Sequence, residues 1–150
     1  MEPSKVLEYI PQQKPFRFLD EIVELSEDYI VGRYTFKEDE YFYQGHFPGD
    51  PVTPGVILTE AMAQTGVVAL GLYLTALKVG EEELPQWTTF FTDCQMDFYL
   101  PVLPGQTVTI KGEKVFYRRM KLRSKVRMYL DNGDLVAEGT VAGMGVKRGN

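Results

Sequence analysis

Residues 54–77 form a mostly apolar run long enough to cross a bilayer, set in a chain whose other segments read as strands. Glu60 and Gln64 interrupt the run near its start, and several Gly and Thr residues dilute it. A helix apolar on nearly all sides is either a membrane span or the buried centre of a core. The strand-rich remainder needs an element to wrap, so a core helix is expected, with no membrane span. At 150 residues the chain is long enough for one domain, 1–150, with a single core.

The punctuation supports this reading. A short helical turn is expected over 5–10, ended by Pro11. Segments 17–25 and 29–36 read as paired strands about Ser26-Glu27-Asp28, and 40–44 as a short strand. Thr53 is suited to cap the long helix and Pro54 to open it, which leaves the amides of Gly55 and Val56 unpaired. The helix should end near Gly80, with Lys78 favourably placed in its last turn. Strands are expected at 87–99, 106–116, 120–130 and 135–146, with a break at Pro101-Val102-Leu103-Pro104-Gly105. Asn132-Gly133 predicts a type I′ hairpin. The fold class is therefore α+β, a curved antiparallel sheet wrapped around one long central helix. An edge strand is left free for dimerisation.

Composition excludes several functions. A net charge of −5 argues against nucleic acid as a partner. With Cys94 the only cysteine and His46 the only histidine, neither an intrachain disulfide nor a metal site is expected. The N-terminus, Met1-Glu2-Pro3-Ser4-Lys5, lacks the layout of a signal peptide, which points to the reducing cytoplasm.

The chemistry concentrates at 45–64, Gly-His-Phe-Pro-Gly-Asp-Pro-Val-Thr-Pro-Gly-Val-Ile-Leu-Thr-Glu-Ala-Met-Ala-Gln. His46 stands on a loop stiffened by Gly and Pro, and imidazole exchanges protons near neutral pH. Gly55 places a free N–H at the positive end of the helix and lets a carbonyl approach closely. Glu60 falls on a helix with little polar face, so burial should favour its neutral, proton-donating form. Gln64, one turn on, is placed to orient it or to hold a water. A base, an acid and an oxyanion donor suit loss of water from a 3-hydroxyacyl thioester, or its reverse.

This stretch resembles the motif GHFPGxPVxPGVxxxEAMAQ of the bacterial 3-hydroxyacyl-[acyl-carrier-protein] dehydratases of the FabZ/FabA type, and fits it at every specified position. Weaker likeness extends to Ile10-Pro11, Pro15-Phe16, Asp20, Pro101-Val102 and Pro104-Gly105. The resemblance implies a hotdog fold, no cofactor, an acyl carrier protein as partner, and a homodimer with shared active sites. Further assembly into a trimer of dimers is left open. It implies His46 and Glu60 as catalytic residues, contributed by different subunits, and Gly55 as the carbonyl-binding amide, with Val56, Gln64 and Phe47 as further substrate contacts. Glu60 makes the chain FabZ-like, since the FabA branch carries Asp there, whereas Asp50 is closer to the FabA branch; isomerase activity is not expected.

The chain departs from the family at Gln12-Gln13-Lys14, at Arg17-Phe18-Leu19-Asp20-Glu21, and at Asp97, Tyr99 and Leu100, where basic residues are usual. A specialised acyl pathway is therefore an alternative to housekeeping fatty acid synthesis. Lys121, Arg123, Lys125 and Arg127 alternate with uncharged residues after Arg118 and Arg119, which gives a basic stripe for an acidic carrier or a plain solvated face. Phe16, Phe18, Phe90, Phe91, Phe98 and Tyr99 are candidates for either an acyl tunnel or the core. The rival functions are a hotdog acyl thioesterase and a non-catalytic acyl-binding subunit.

Overall fold

The computed structural model describes residues 1–148. A short helix, α1 (Pro3–Tyr9), precedes strands β1 (Glu21–Leu25) and β2 (Tyr29–Thr35). The apolar run follows as one helix, α2 (Gly55–Val79), most of which is buried inside the protein. Four strands complete the chain: β3 (Trp87–Phe98), β4 (Thr107–Arg118), β5 (Lys121–Leu130) and β6 (Leu135–Lys147). All six strands form one antiparallel sheet in the order β1-β2-β4-β5-β6-β3. The middle of α2 packs on β2, β4, β5 and β6, which is the expected helix wrapped by a sheet. Bulges between Ile22 and Glu24, Phe91 and Asp93, and Lys114 and Phe116 add local twist and bend to the strands.

Period-two patterning sets which face packs inward. On β5, Leu122, Ser124, Val126 and Met128 are buried, and the intervening Lys121, Arg123, Lys125 and Arg127 face outward. On β2, Ile30, Gly32 and Tyr34 are buried. The core has two parts along α2. One gathers Phe18, Phe36, Ile57, Leu58 and Met62, the other Val6, Leu19, Leu70, Leu74 and Leu122.

Helix and sheet touch through their backbones at one point. A Cβ added to Gly112 on β4 would lie 2.8 Å from the Cα of Gly66, and one added to Gly66 would lie 2.6 Å from Val126 Cγ1. The Ser124 hydroxyl donates to the Gly66 carbonyl at 2.6 Å within this buried contact. Here α2 takes a π-helical turn, Gln64–Ala69, between the α-helical stretches Gly55–Ala63 and Leu70–Val79. Such turns are rare and cluster at functional sites.

Four local expectations are corrected. The first strand starts only at Glu21, because the Phe16 carbonyl and the Phe18 amide are taken by the Gln64 side chain and not by a strand. Segment 40–44 is a 3-10 turn, Tyr41–Gln44, with no strand neighbour, and its three aromatic rings pack edge to face at 5.2 and 4.7 Å. Thr53 does not cap α2: its hydroxyl pairs with the Tyr43 hydroxyl at 2.6 Å, and Pro54 is the residue preceding the first turn. Only Gly133 has positive φ (+91°) in the β5–β6 hairpin, so its turn is not type I′. The paired positive φ values fall instead on Arg119 (53°) and Met120 (63°), between β4 and β5.

Gly112→Ala is expected to cost about 1–3 kcal/mol or more, because backbone cannot yield as a side chain does. Gly71→Ala, whose methyl would meet only Leu122 Cδ2 at an ordinary 3.6 Å, is expected to gain about 0.5–1 kcal/mol from better helix propensity. Urea midpoints of the two variants should move in opposite directions.

Candidate active site

The His46 loop is pinned from both ends. Val52 N–H donates to the His46 carbonyl at 2.9 Å, and His46 N–H donates to the Phe42 carbonyl at 3.0 Å. His46 Nδ1 lies 2.9 Å from the Val52 carbonyl. A carbonyl only accepts, so this contact assigns the proton to Nδ1 and leaves the Nε2 lone pair free as a base. The Phe47 ring is stacked on the imidazole with centroids 4.1 Å apart and is itself half exposed. Phe47 therefore packs on the imidazole from its own loop.

Beyond the loop, Thr53 N–H donates to the Val102 carbonyl at 2.9 Å and sets the start of α2. The Pro54 carbonyl accepts from Ile57 and Leu58, whereas the amides of Gly55 and Val56 have no partner among the described residues. These two N–H groups lie at the positive helix end, as an oxyanion site requires. A Cβ on Gly55 would meet only the Phe98 ring, at an ordinary 3.5 Å, so packing alone does not demand glycine there. Val56 is exposed.

Glu60 is held one turn further along. Gln64 is fully buried and every bond it makes is directed. Its Nε2 donates to Glu60 Oε2 and to the Phe16 carbonyl, each at 2.9 Å, and its Oε1 accepts from Phe18 N–H at 2.7 Å. One carboxylate oxygen of Glu60 is thereby fixed, and the other has no partner among the described residues. Glu60 opens on a cavity of about 220 Å³ whose wall is otherwise largely apolar, including Phe16, Ala63, Val67, Phe90 and Phe91. Desolvation raises the Glu60 carboxyl above its ordinary range, and the Gln64 hydrogen bond only partly offsets this.

The structure thus brings Glu60 and Gln64 together with Phe16, Phe90 and Phe91, three of the six aromatic candidates. Phe98 faces Gly55, whereas Phe18 is core and Tyr99 is exposed and bonded to Glu138. His46, Phe47, Gly55 and Val56 do not line the Glu60 cavity of the same chain. Val67, Thr89 and Ala142 also line it; none carries a sequence signal that separates a cavity wall from ordinary core. The basic stripe is partly consumed. Arg123 and Lys121 share Asp93 at 2.8 and 3.8 Å, and Arg127 reaches Glu113 and Glu138. Arg118, Arg119 and Lys125 are exposed and make no ion pair among the described residues.

The family model of the FabA-like domain matches residues 10–144. The 3-hydroxyacyl-[acyl-carrier-protein] dehydratase FabZ of Syntrophobacter fumaroxidans is 37% identical over 138 residues, covering 92% of this chain and 89% of that protein. The same-named protein of Caldicellulosiruptor bescii is 36% identical, with 91% and 92% covered. The bifunctional enzyme LpxC/FabZ of Chlorobaculum tepidum is 35% identical over 88% of this chain, which spans 27% of that longer protein. Among solved structures, the dehydratase heterocomplex ApeI:P from Xenorhabdus doucetiae superposes with a TM-score of 0.78 at 14% identity, covering 99% and 93% of the two chains. A thioesterase from Haemophilus influenzae superposes at 0.57 with 16% identity, covering 85% and 78%. At such identities these two show the hotdog fold alone.

Burial of Glu60 sets a pH signature. The folded protein holds the Glu60 proton more tightly than the unfolded chain. Its contribution to stability is therefore full below the ordinary carboxylate range and is lost as pH rises through the raised folded value. Glu60→Gln cannot ionise, so it should gain stability relative to wild type as pH rises above the ordinary carboxylate range. Parallel stability curves from urea unfolding across that rise in pH would contradict the burial assigned to this carboxyl.

Proposed function

The chain belongs to the FabA-like domain family, and from that premise we propose that it is a 3-hydroxyacyl-[acyl-carrier-protein] dehydratase of the FabZ type, acting in fatty acid or related acyl-chain synthesis without a cofactor. The observation that carries this reading is the Glu60 carboxyl, with one oxygen fixed by Gln64 and the other free in an otherwise largely apolar cavity. Burial favours the neutral, proton-donating form of such a group.

In this mechanism His46 Nε2 removes the C2 proton of a (3R)-hydroxyacyl thioester. The charge that develops on the thioester oxygen is held by the Gly55 N–H at the helix end, with the Val56 N–H beside it. Protonated Glu60 gives its proton to the C3 hydroxyl, the C3–O bond breaks, and water leaves a trans-2-enoyl thioester. One proton has moved to His46 and one has left Glu60, and exchange with solvent resets both. Hydration is the same path reversed.

His46 lies outside the Glu60 cavity of its own chain, which supports a site completed by the second copy of a homodimer. The surface for that copy is the free edge of β3, where Phe90, Phe91 and Phe98 are exposed. The cytoplasm is the proposed compartment. The acidic carrier docks on the exposed cations Arg118, Arg119 and Lys125, with Lys121 and Arg123 behind them.

The test is turnover of a 3-hydroxyacyl carrier thioester followed by mass spectrometry. Wild type should lose one water, and His46→Ala and Glu60→Gln should each be slower by about 10²–10⁴-fold. Gly55→Ala should keep its unfolding midpoint and lose roughly 10²-fold in rate, because its methyl displaces the thioester. Free acid and thiol would instead identify a thioesterase, and saturable binding without turnover a non-catalytic subunit. Arg118→Glu with Arg119→Glu should raise KM for the carrier-bound substrate far more than for a short thioester mimic; equal effects would remove the docking surface.

A further inference from the structure

Two cavities beside α2 share part of their walls. The first, of about 220 Å³, holds Glu60; the second has room for only about 20 Å³. Val67 of α2 and Thr89 of β3 line both and form the partition between them. Across from them on β6, Ala142 opens on the first cavity and Gly143 on the second. A Cβ on Gly143 would lie 2.7 Å from Val67 Cγ1 and 2.9 Å from Thr89 Cγ2. The two side chains are thus already pressed against bare backbone, and the partition has no slack.

Beyond the partition the wall is mixed, with Thr75, Trp87 and Tyr117 set among Leu72, Met120 and Leu122. The hydroxyls of Thr75 and Tyr117 pair at 2.9 Å, and the buried Trp87 indole N–H has no partner among the described residues. Thr75, Tyr117 and Trp87 all line the narrow second cavity. A hydrocarbon end forced past Val67 and Thr89 would meet a space the size of one water and groups it cannot satisfy.

We propose that Val67 and Thr89 are the chain-length stop of this enzyme: the acyl group extends from Glu60 along the first cavity and ends against these two side chains. The inference rests on the dehydratase reading and adds the substrate's length to it. A cavity of roughly 150 Å³ holds a benzene ring, so this one accepts an acyl group of roughly six to ten carbons. The stop differs from the exposed aromatic edge of β3 in that it is made inside one chain, by helix, edge strand and inner strand together.

The experiment is a chain-length series of 3-hydroxyacyl thioesters, from about four to about sixteen carbons, given to wild type, Val67→Ala and Thr89→Ser. Saturated acyl thioesters of the same lengths, which cannot lose water, are titrated in parallel by calorimetry. In wild type both kcat/KM and affinity should fall sharply past the medium chains. Each variant removes atoms from the partition and should raise the ratio of long-chain to short-chain kcat/KM at least tenfold, moving the affinity cutoff with it. Thr89→Ser removes one methyl and guards against a folding defect in Val67→Ala. An unshifted cutoff in both folded variants overturns the proposal, as does equal use of short and long chains by wild type. A shifted binding cutoff with no water loss in any protein would keep the stop and defeat the dehydratase reading.

Discussion

The contact on which the rest depends is the meeting of α2 and the sheet at Gly66 and Gly112, where no side chain separates the two backbones. It fixes how deep the helix sits and therefore what surrounds each residue along it. Two residues earlier than Gly66, Gln64 is fully buried and must pair every polar atom. It does so by crossing to the Phe16–Phe18 segment and by holding Glu60. The same depth brings Val67 against Gly143 on the inner face of β6. Fold and site are thus one arrangement. The π turn over Gln64–Ala69 marks where the helix accommodates both the close approach and the side-chain bridge.

The electrostatics follow from that depth. Glu60 is largely removed from water and makes no ion pair among the described residues, so its neutral form is favoured. His46 faces a different environment. It stands on a loop, half buried, with one ring nitrogen committed to a backbone carbonyl. In the proposed mechanism these contrasting surroundings divide the roles, Glu60 as acid and His46 as base. The helix end supplies the third part, since amides that cannot pair within a helix are available to an incoming oxygen.

Much of this was legible in the sequence because it rests on local rules. The 54–77 run, the alternation along β5 and the Gly80 stop each depend on periodicity or capping within a few residues, and the structure reproduces them. The pairing of Gln64 with Glu60 was legible for the same reason, as an i,i+4 contact on one helix face. What escaped was decided by distant partners. Thr53 has the right chemistry for a cap, but Tyr43 takes its hydroxyl. Asn132-Gly133 favours a type I′ turn, but the strand register around Met128 and Tyr129 is irregular and selects another. Phe16, Phe18 and Phe98 look alike as sequence, yet one lines the cavity, one is core and one faces Gly55.

The central claim is that His46 of one chain and Glu60 of another act on the same substrate. The most direct measurement mixes two inactive proteins, His46→Ala and Glu60→Gln, lets subunits exchange, and follows loss of water from a 3-hydroxyacyl carrier thioester by mass spectrometry. Half of the exchanged dimers should then carry one intact site of two, so activity should return to about a quarter of the wild-type value. Mixtures that form mixed dimers and remain as inactive as their parents would contradict the shared site and require both residues to act from one chain.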